Sequence, residues 1–111
     1  MVQPGNKVRG STTGRPIMAL LDLLGRRWVL RILWELREAA LGFRALQARC
    51  GGMSPSVLSA RVTELAASGI LDLSAQGDYQ LTHEGRKLIE ALQPLHGWAE
   101  RWAKRTSRAQ G

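Results

Sequence analysis

The chain has 111 residues, with 16 Lys and Arg against 9 Asp and Glu, and a formal net charge of +7. This length fits one domain, and the single cysteine excludes an intramolecular disulfide framework. No apolar run approaches the roughly 18 residues of a membrane-spanning helix, and residues 1–15 lack the apolar core of a signal peptide. We therefore expect a cytoplasmic protein with a reduced thiol.

The excess positive charge lies at the two ends of the chain. Residues 1–15 carry +3 and residues 101–111 carry +4, whereas residues 16–100 are neutral as a whole. Within that middle part, residues 26–64 carry +4 and residues 65–100 carry −3. One half of the domain is therefore suited to face phosphate groups, and the other half is not.

The first half of the chain has the pattern of three helices. The segment "PIMALLDLLG" begins with Pro and ends with Gly, which predicts a short helix, and "RRWVLRILWELREA" repeats apolar residues at helical spacing. The break "ALGF" has room for a short strand at Leu41, and "FRALQARC" predicts a two-turn helix. A sharp turn then follows at "GGM", because two successive glycines are unfavourable inside a helix.

The next segment, "SPSVLSARVTELAASGIL", is a helix with signals at both ends. Ser54 is a natural N-cap, Pro55 fits the first helical position, and Gly69 is suited to a left-handed end. The helical period places the apolar side chains on one face, at Leu58, Val62 and Leu65. The outward face is small and hydroxylated, with Ser56, Ala60, Thr63 and Ala67 opposite the apolar side chains and Ser59 and Glu64 flanking them.

The last part of the chain predicts a hairpin and a helical segment. The runs "ILDLS" and "DYQLT" alternate apolar and polar residues around the turn "AQG". A helical segment follows that is capped by Thr82 and kinked or divided by Pro94. It carries an apolar stripe that we interpret as a dimer interface, formed by Leu88, Leu92, Leu95, Trp98 and Trp102.

A short helix, a tight turn and a capped second helix form a helix-turn-helix, and the hairpin behind it forms a wing. The second helix would lie in the major groove of DNA, where small side chains permit close approach and hydroxyls bond to base edges or phosphates. The predicted base-facing residues are Ser54, Ser56, Ser59, Ala60 and Thr63. The predicted phosphate contacts are Arg26, Arg27, Arg44, Arg49 and Arg61. The alternative for each set is ordinary solvation, and for Arg61 also a pair with Glu64 at the flank of its helix.

Residues 16–102 resemble the HxlR-type winged helix-turn-helix regulators of bacteria in three successive motifs. These are "ALLDLLGRRWVLRIL", "GFRALQARCGGMSPSVLSARVTELAASGIL" and "YQLTHEGRKL", although MarR-, PadR- and ArsR-type regulators share parts of them. The resemblance implies a cytoplasmic homodimer that binds operator DNA and makes much of its dimer contact through terminal helices. The family often has a sensor cysteine where this chain has Arg15, so thiol sensing of that kind is not expected. The wing tip, Ala75 to Asp78, has no Arg or Lys to enter the minor groove.

We therefore predict a mainly α fold with a small β-hairpin wing (α+β). Residues 16–103 would form the winged helix-turn-helix domain with its dimerisation helix, and residues 1–15 and 104–111 would be flexible basic tails. The predicted function is DNA-binding transcription regulation by a homodimer that reads an inverted-repeat operator with the helix 55–68 in the major groove. The alternatives are a winged-helix protein–protein adaptor and an effector-binding sensor, neither of which has its own operator.

Other residues with chemical potential have simpler interpretations. Trp28 and Trp34 are core residues or line an effector pocket, and Cys50 is a buried, inert thiol or a sensor. His83 and His96 are too far apart in sequence to suggest a metal site. The chain has no nucleophile elbow, phosphate loop or zinc-protease motif, so we expect no enzyme, no cofactor and no metal. The expected partners are double-stranded DNA, a second copy of the chain and, as an open alternative, a small-molecule effector.

Overall fold

The computed structural model describes residues 15–110, and the first 14 residues of the expected N-terminal tail lie outside this range. Within it, the helices are α1 (Pro16–Leu24), α2 (Val29–Glu35), α3 (Phe43–Cys50), α4 (Pro55–Ala67) and α5 (His83–Gln110). The strands β1 (Leu71–Leu73) and β2 (Tyr79–Leu81) lie between α4 and α5. This order confirms the predicted α+β fold, with α3 and α4 as the helix-turn-helix and the strands as the wing.

The core lies where the apolar faces of α2, α3 and α4 meet the base of the wing. Its side chains that are less than 2% exposed are Val29, Ile32, Leu33, Leu46, Leu58, Leu65 and Leu71. Burying a side chain of this size contributes about 1.5–3 kcal/mol relative to leaving it in water. The predicted apolar face of α4 is therefore confirmed, and its packing determines which side of α4 faces outward.

Helix α2 is shorter than its apolar period predicts. Trp28 has a left-handed backbone with φ of 79°, so the helix begins at Val29 rather than at Arg26. At the other end, Leu36 closes the helix while its side chain stays buried. The spacing of apolar residues cannot reveal a single left-handed residue, and for this reason the sequence predicts one long helix.

The turn between α3 and α4 is made by two glycines and a serine cap. Gly51 and Gly52 both have positive φ, 60° and 84°, which a residue with a Cβ adopts only with strain. Met53 turns back into the core, and the Oγ of Ser54 accepts a hydrogen bond from the Val57 amide at 3.2 Å. The predicted N-cap is confirmed, and the entry of α4 is fixed by side chains on both sides of the turn.

The wing is an antiparallel hairpin with a third segment attached. Leu71 pairs with Leu81 and Leu73 with Tyr79. The predicted short strand at Leu41 is a single bridge to Tyr79, with N···O distances of 3.0 and 2.8 Å. The Oγ of Ser74 accepts from two amides of the tip, so the short tip is held by its own hydrogen bonds.

Helix α5 runs unbroken from the wing to the end of the described chain. The hydroxyl of Thr82 accepts a hydrogen bond from the Gly85 amide at 3.0 Å, which confirms the predicted cap. The helix is not divided at Pro94 and continues to Gln110, so residues 104–110 of the predicted C-terminal tail are helical. Among the described residues, no helix combines the length and the apolar character needed to cross a membrane.

Candidate nucleic-acid interface

The outward face of α4 is exposed in the part of the chain that the structure describes. The side chains predicted to face the bases are all exposed, at Ser54, Ser56, Ser59, Ala60 and Thr63. Small side chains leave the helix backbone accessible, and hydroxyls both donate and accept hydrogen bonds. This face therefore has the shape and chemistry needed to enter a groove, while its contact with DNA stays a prediction.

At the first turn of α4, the hydroxyl of Ser54 has a structural task. It accepts from the Val57 amide at 3.2 Å and lies 3.3 Å from the Oγ of Ser56. Ser54 therefore orients the first turn, whereas Ser56 and Ser59 carry hydroxyls that project farther along the open face. Of the five predicted base-facing residues, Ser54 is the one whose hydroxyl caps a backbone amide of α4.

One flank of α4 carries a cluster of Arg26, Arg61 and Glu64, which we name the Glu64 cluster. Nη1 of Arg61 lies 2.7 Å from Oε1 of Glu64, and Nε of Arg26 lies 3.4 Å from Oε2. Nε of Arg61 also donates to the backbone carbonyl of Arg27 at 3.1 Å. The expected pair of Arg61 with Glu64 is therefore present, and the contacts of Arg61 with Arg27 and of Glu64 with Arg26 fasten the α1–α2 loop to α4.

A second carboxylate, Glu35, holds α2 against the end of α3. Its Oε2 lies 2.8 Å from Nε of Arg31, and its Oε1 lies 3.7 Å from Nη1 of Arg49. Nη2 of Arg31 donates to the backbone carbonyl of Arg49 at 2.8 Å and so satisfies an acceptor at the end of α3. Arg31 was not among the predicted site residues, because its hydrogen-bond partner lies 18 residues away in sequence.

The structure thus divides the five predicted phosphate contacts into two groups. Arg26, Arg49 and Arg61 each face a carboxylate. Arg27 and Arg44 are exposed and have no ion pair within the described part of the chain. The guanidinium of Arg27 lies over the Trp28 ring, with its Cζ 5.3 Å from the ring centroid. The charges of Arg27 and Arg44 are therefore not neutralised by a carboxylate of the described chain and are available to a phosphate.

Trp34 lines an open apolar groove of about 360 Å³ between α2 and α5. The Arg37 guanidinium lies over the Trp34 ring, with its Cζ 3.7 Å from the ring centroid. The His96 ring stacks on Trp34, with the two ring centroids 5.2 Å apart. The groove is also lined by Leu30, Leu92, Leu95 and Ala99. Trp28 lies outside this groove and packs partly against the core. The two tryptophans that the sequence grouped together therefore have different surroundings.

Cys50 is a core residue and is 3% exposed. Burial raises the pKa of its thiol, the charge of Arg31 acts to lower it, and the charge of Glu35 acts to raise it. The thiol is therefore protonated at neutral pH, as expected for an inert side chain. Over the described range, no group of three His, Cys, Asp or Glu is placed to bind a metal ion.

The apolar stripe of α5 is partly uncovered. Leu95, Trp98 and Trp102 are 57%, 53% and 53% exposed, and the two indole rings stack with centroids 5.8 Å apart. Leu88 differs, because it packs against the core. Four further large apolar side chains are exposed and were not predicted to be, namely Ile17 and Leu21 on α1, Leu30 on α2 and Leu73 on β1. The four-residue spacing of Ile17 and Leu21 was visible in the sequence, but the exposure of their side chains was not.

Taken together, the capped helix with an open hydroxylated face, the glycine turn before it and the hairpin behind it define a winged helix-turn-helix DNA-binding protein. The chain belongs to the HxlR-like helix-turn-helix family, whose model matches residues 23–107. It is 30% identical over 88 residues to the HTH-type transcriptional regulator YvaP of Bacillus subtilis, which covers 74% of this chain and 82% of YvaP. It is 32% identical over 108 residues to the regulator Mb3122 of Mycobacterium bovis, which covers 90% of this chain and 64% of Mb3122.

Solved structures of similar proteins have the same fold. The quinone-bound YodB of B. subtilis aligns with a TM-score of 0.71 and 26% identity, over 77% of this chain and 94% of YodB. An HxlR family transcriptional factor of Thermoplasma volcanium aligns with a TM-score of 0.66 and 27% identity, over 77% of this chain and 82% of that one. Together with the family match, these similarities identify the chain as a DNA-binding transcriptional regulator of the HxlR-like family.

Proposed function

We propose that the protein acts as a homodimer that reads an inverted-repeat operator, with one α4 helix of each subunit in a major groove. The observation that carries this proposal is the open face of α4, which is lined by Ser56, Ser59, Ala60 and Thr63. The width of the major groove, about 12 Å, admits a helix, and small side chains let its axis approach the bases. A DNA target also agrees with the cytoplasmic location expected from the sequence.

The dimer is supported by apolar surface at both ends of the domain. Trp98 and Trp102 on α5 and Ile17 and Leu21 on α1 are each more than half exposed. Aromatic side chains of this kind supply much of the binding energy at protein interfaces. A two-fold dimer would present two α4 helices about one helical turn of DNA apart, roughly 34 Å, and the operator would repeat with the same spacing.

Phosphate contacts would come first from Arg27 and Arg44, which have no carboxylate partner among the described residues. These contacts position the protein on the duplex, whereas the hydroxyls of α4 read the base edges. Binding should therefore weaken steeply as salt concentration rises, because each phosphate contact releases counterions. The wing tip, with Gln76 and Asp78 and no cation from Ala75 to Asp78, would add little to this electrostatic term.

Selection of bound fragments from the source genome, followed by footprinting on the selected fragment, tests the proposal. We expect two protected half-sites related by inversion, with centres about one helical turn apart. Protection of a single, unrepeated half-site at saturating dimer would contradict the proposed arrangement. Fragments without any common sequence would instead support a winged-helix adaptor, for which the basic tails alone supply DNA affinity.

The role of the α4 face is tested by adding one carboxylate to it. Ser56→Glu places a negative charge beside the bases, and we expect operator binding to be lost while circular dichroism and thermal stability are retained. Ala67→Glu is the matched control, because Ala67 is also exposed but lies at the far end of α4. We expect this control to keep most of the operator affinity. Normal binding by the Ser56→Glu variant would show that the recognition face is assigned wrongly.

A second candidate function, sensing of a small molecule, is favoured by the groove of about 360 Å³ beside Trp34. The solved structure of the similar protein YodB is described as quinone-bound, so planar aromatic compounds are a reasonable first panel. Quenching of tryptophan fluorescence that disappears in Trp34→Phe, together with a shift in operator affinity, would support this role.

The relatives named as regulators and the absence of catalytic motifs in the sequence both favour a protein that is not an enzyme.

A further inference from the structure

We propose that Glu64 is a specificity-determining residue, which keeps Arg26 and Arg61 from binding phosphates non-specifically. This inference rests on the proposed function, since it assigns a role to the flank of the same α4 helix. Specificity is a difference between two affinities, so it increases when contacts that any DNA sequence can make are weakened. A carboxylate that engages two arginines beside the recognition face has this effect.

The geometry shows how Glu64 engages both arginines. Its Oε1 lies 2.7 Å from Nη1 of Arg61, and its Oε2 lies 3.4 Å from Nε of Arg26. Oε2 is buried and receives no hydrogen bond, so the nearby charge of Arg26 is its main compensation. Releasing Arg26 would leave this oxygen with less compensation, which favours the closed cluster. The two arginines come from different parts of the chain, and each of them lies beside a different oxygen of the same carboxylate.

The position of the cluster makes it relevant to DNA. Glu64 follows Thr63, at the edge of the exposed face of α4. The α1–α2 loop lies along the same flank, because Arg61 donates to the carbonyl of Arg27 at 3.1 Å. The sugar-phosphate strands run on both sides of a helix that occupies the major groove. If α4 occupies a major groove, arginines on this flank therefore lie near the phosphates of the adjacent strand.

The carboxylate changes what this flank offers to a phosphate. Two arginines and one glutamate carry +1 together, and neither guanidinium presents all its donors outward while Glu64 holds it. Each arginine that gains a phosphate contact steepens the log–log salt dependence of binding by about 0.9. The same gain occurs on every DNA sequence, because phosphates carry no sequence information. Glu64 therefore lowers the affinity for random DNA more than it affects the reading of base edges.

The test is Glu64→Gln, which keeps the shape of the side chain and removes its charge. We measure binding to the selected operator fragment and to a scrambled duplex of equal length over a series of salt concentrations. We expect the salt dependence on scrambled DNA to steepen by about 0.9 for each released arginine in each subunit, and the ratio of operator to scrambled affinity to fall. Glu84→Gln is the control, because Glu84 is exposed and has no ion pair within the described chain. It changes the net charge equally but releases no arginine.

Two further variants keep the proposal open to contradiction. Arg26→Gln alone should leave the salt dependence on scrambled DNA unchanged, since Glu64 already holds Arg26. Combined with Glu64→Gln, it should remove about one arginine's share of the added slope. Equal slopes for Glu64→Gln and Glu84→Gln, or a shallower slope for Arg26→Gln alone, would overturn the proposal. Failure of the proposed function is distinguishable, because the unmodified protein itself would then show no preference for any selected fragment.

Discussion

The α-carbon of Gly85 packs against the backbone carbonyl of Ile70 so closely that a β-carbon at this position would overlap the carbonyl oxygen. The same oxygen accepts a hydrogen bond from the amide of Thr82 at 2.9 Å, and the Thr82 hydroxyl donates to the Gly69 carbonyl at 2.6 Å while lying 3.1 Å from that of Ile70. The first turn of α5 therefore docks directly on the chain that leaves α4. The threonine and the glycine of the motif "YQLTHEG" are therefore both explained by the close approach of α5 to the carbonyls of Gly69 and Ile70.

We expect Gly85→Ala to destabilise the protein by about 1–3 kcal/mol, because overpacking forces backbone shifts. The measurement is urea denaturation at a fixed protein concentration, followed by circular dichroism. Gly97→Ala is the matched control within α5, where a β-carbon would meet only the flexible end of Arg101, at 3.4 Å. Alanine is the better helix former, so this control should be neutral or gain up to about 1 kcal/mol. Equal losses for both variants would refute the packing argument.

The two roles of the α4 N-terminus can be separated at Ser54. Ser54→Ala removes the acceptor for the Val57 amide and should cost about 1 kcal/mol of folding free energy. Ser54→Asp keeps a capping acceptor and should retain stability, but its charge should weaken DNA binding through repulsion by phosphates. Denaturation and operator titration together give a simple readout. If Ser54→Asp bound DNA as well as the unmodified protein, the first turn of α4 would not lie near the duplex.

Arginines without a carboxylate partner should contribute more to the salt dependence of DNA binding than arginines that face a carboxylate. Arg44→Gln removes a guanidinium without an ion pair in the described chain, and should reduce the log–log slope of DNA binding by about 0.9 per subunit. Arg49→Gln removes one that faces Glu35 at 3.7 Å, and should reduce the slope less. Binding isotherms at several salt concentrations provide both slopes. A larger effect for Arg49→Gln would show that this pair opens on DNA.

The raised pKa of Cys50 has two consequences. Since the thiolate is disfavoured in the folded protein, alkylation by iodoacetamide should be slow until urea unfolds the chain. The folded state also holds the thiol proton more tightly than the unfolded state does. Its contribution to stability is therefore present below the ordinary thiol pKa of 9.0 and is lost as pH rises beyond it. Denaturation as a function of pH should show this loss in the unmodified protein but not in Cys50→Ala.

The stacked indoles of α5 should anchor the proposed dimer. Removing one such aromatic, in Trp98→Ala or Trp102→Ala, should weaken association by about 2 kcal/mol, which is roughly a 30-fold rise in the dimer dissociation constant. Sedimentation equilibrium measures this directly. Lys104→Ala is a control on the same helix, because Lys104 is exposed on the side away from the apolar stripe. A monomeric unmodified protein, or an unchanged dimer in both tryptophan variants, would refute the proposed interface.

Local chemistry made much of the fold predictable from the sequence. Ser54 and Thr82 are caps, and Gly51, Gly52 and Gly69 have the positive φ values that the turns require. These features depend on residues within a few positions of one another. The apolar period of α4 also predicted its outward face, because a helix has a fixed angle per residue.

The features that were not predictable depend on distant parts of the chain. Of the five predicted arginines, the sequence offered a carboxylate partner only to Arg61, yet Arg26 and Arg49 also face carboxylates in the folded domain. Arg61 bonds to a carbonyl 34 residues away, which no spacing rule foresees. The early start predicted for α2 was wrong because of the backbone of Trp28. The extension of α5 to Gln110 likewise differs from the tail predicted from its basic composition.

The left-handed backbone of Trp28 links the packing of the core to the position of the α1–α2 loop beside α4. This conformation costs roughly 1–2 kcal/mol for a residue with a β-carbon, so contacts made elsewhere in the domain must sustain it. In a chain whose helices have formed but whose core has not, no tertiary contacts stabilise this left-handed conformation. Without the bend, Arg26 and Arg27 would not lie beside α4. Formation of the core and placement of Arg27, a predicted phosphate contact, beside α4 should therefore occur together.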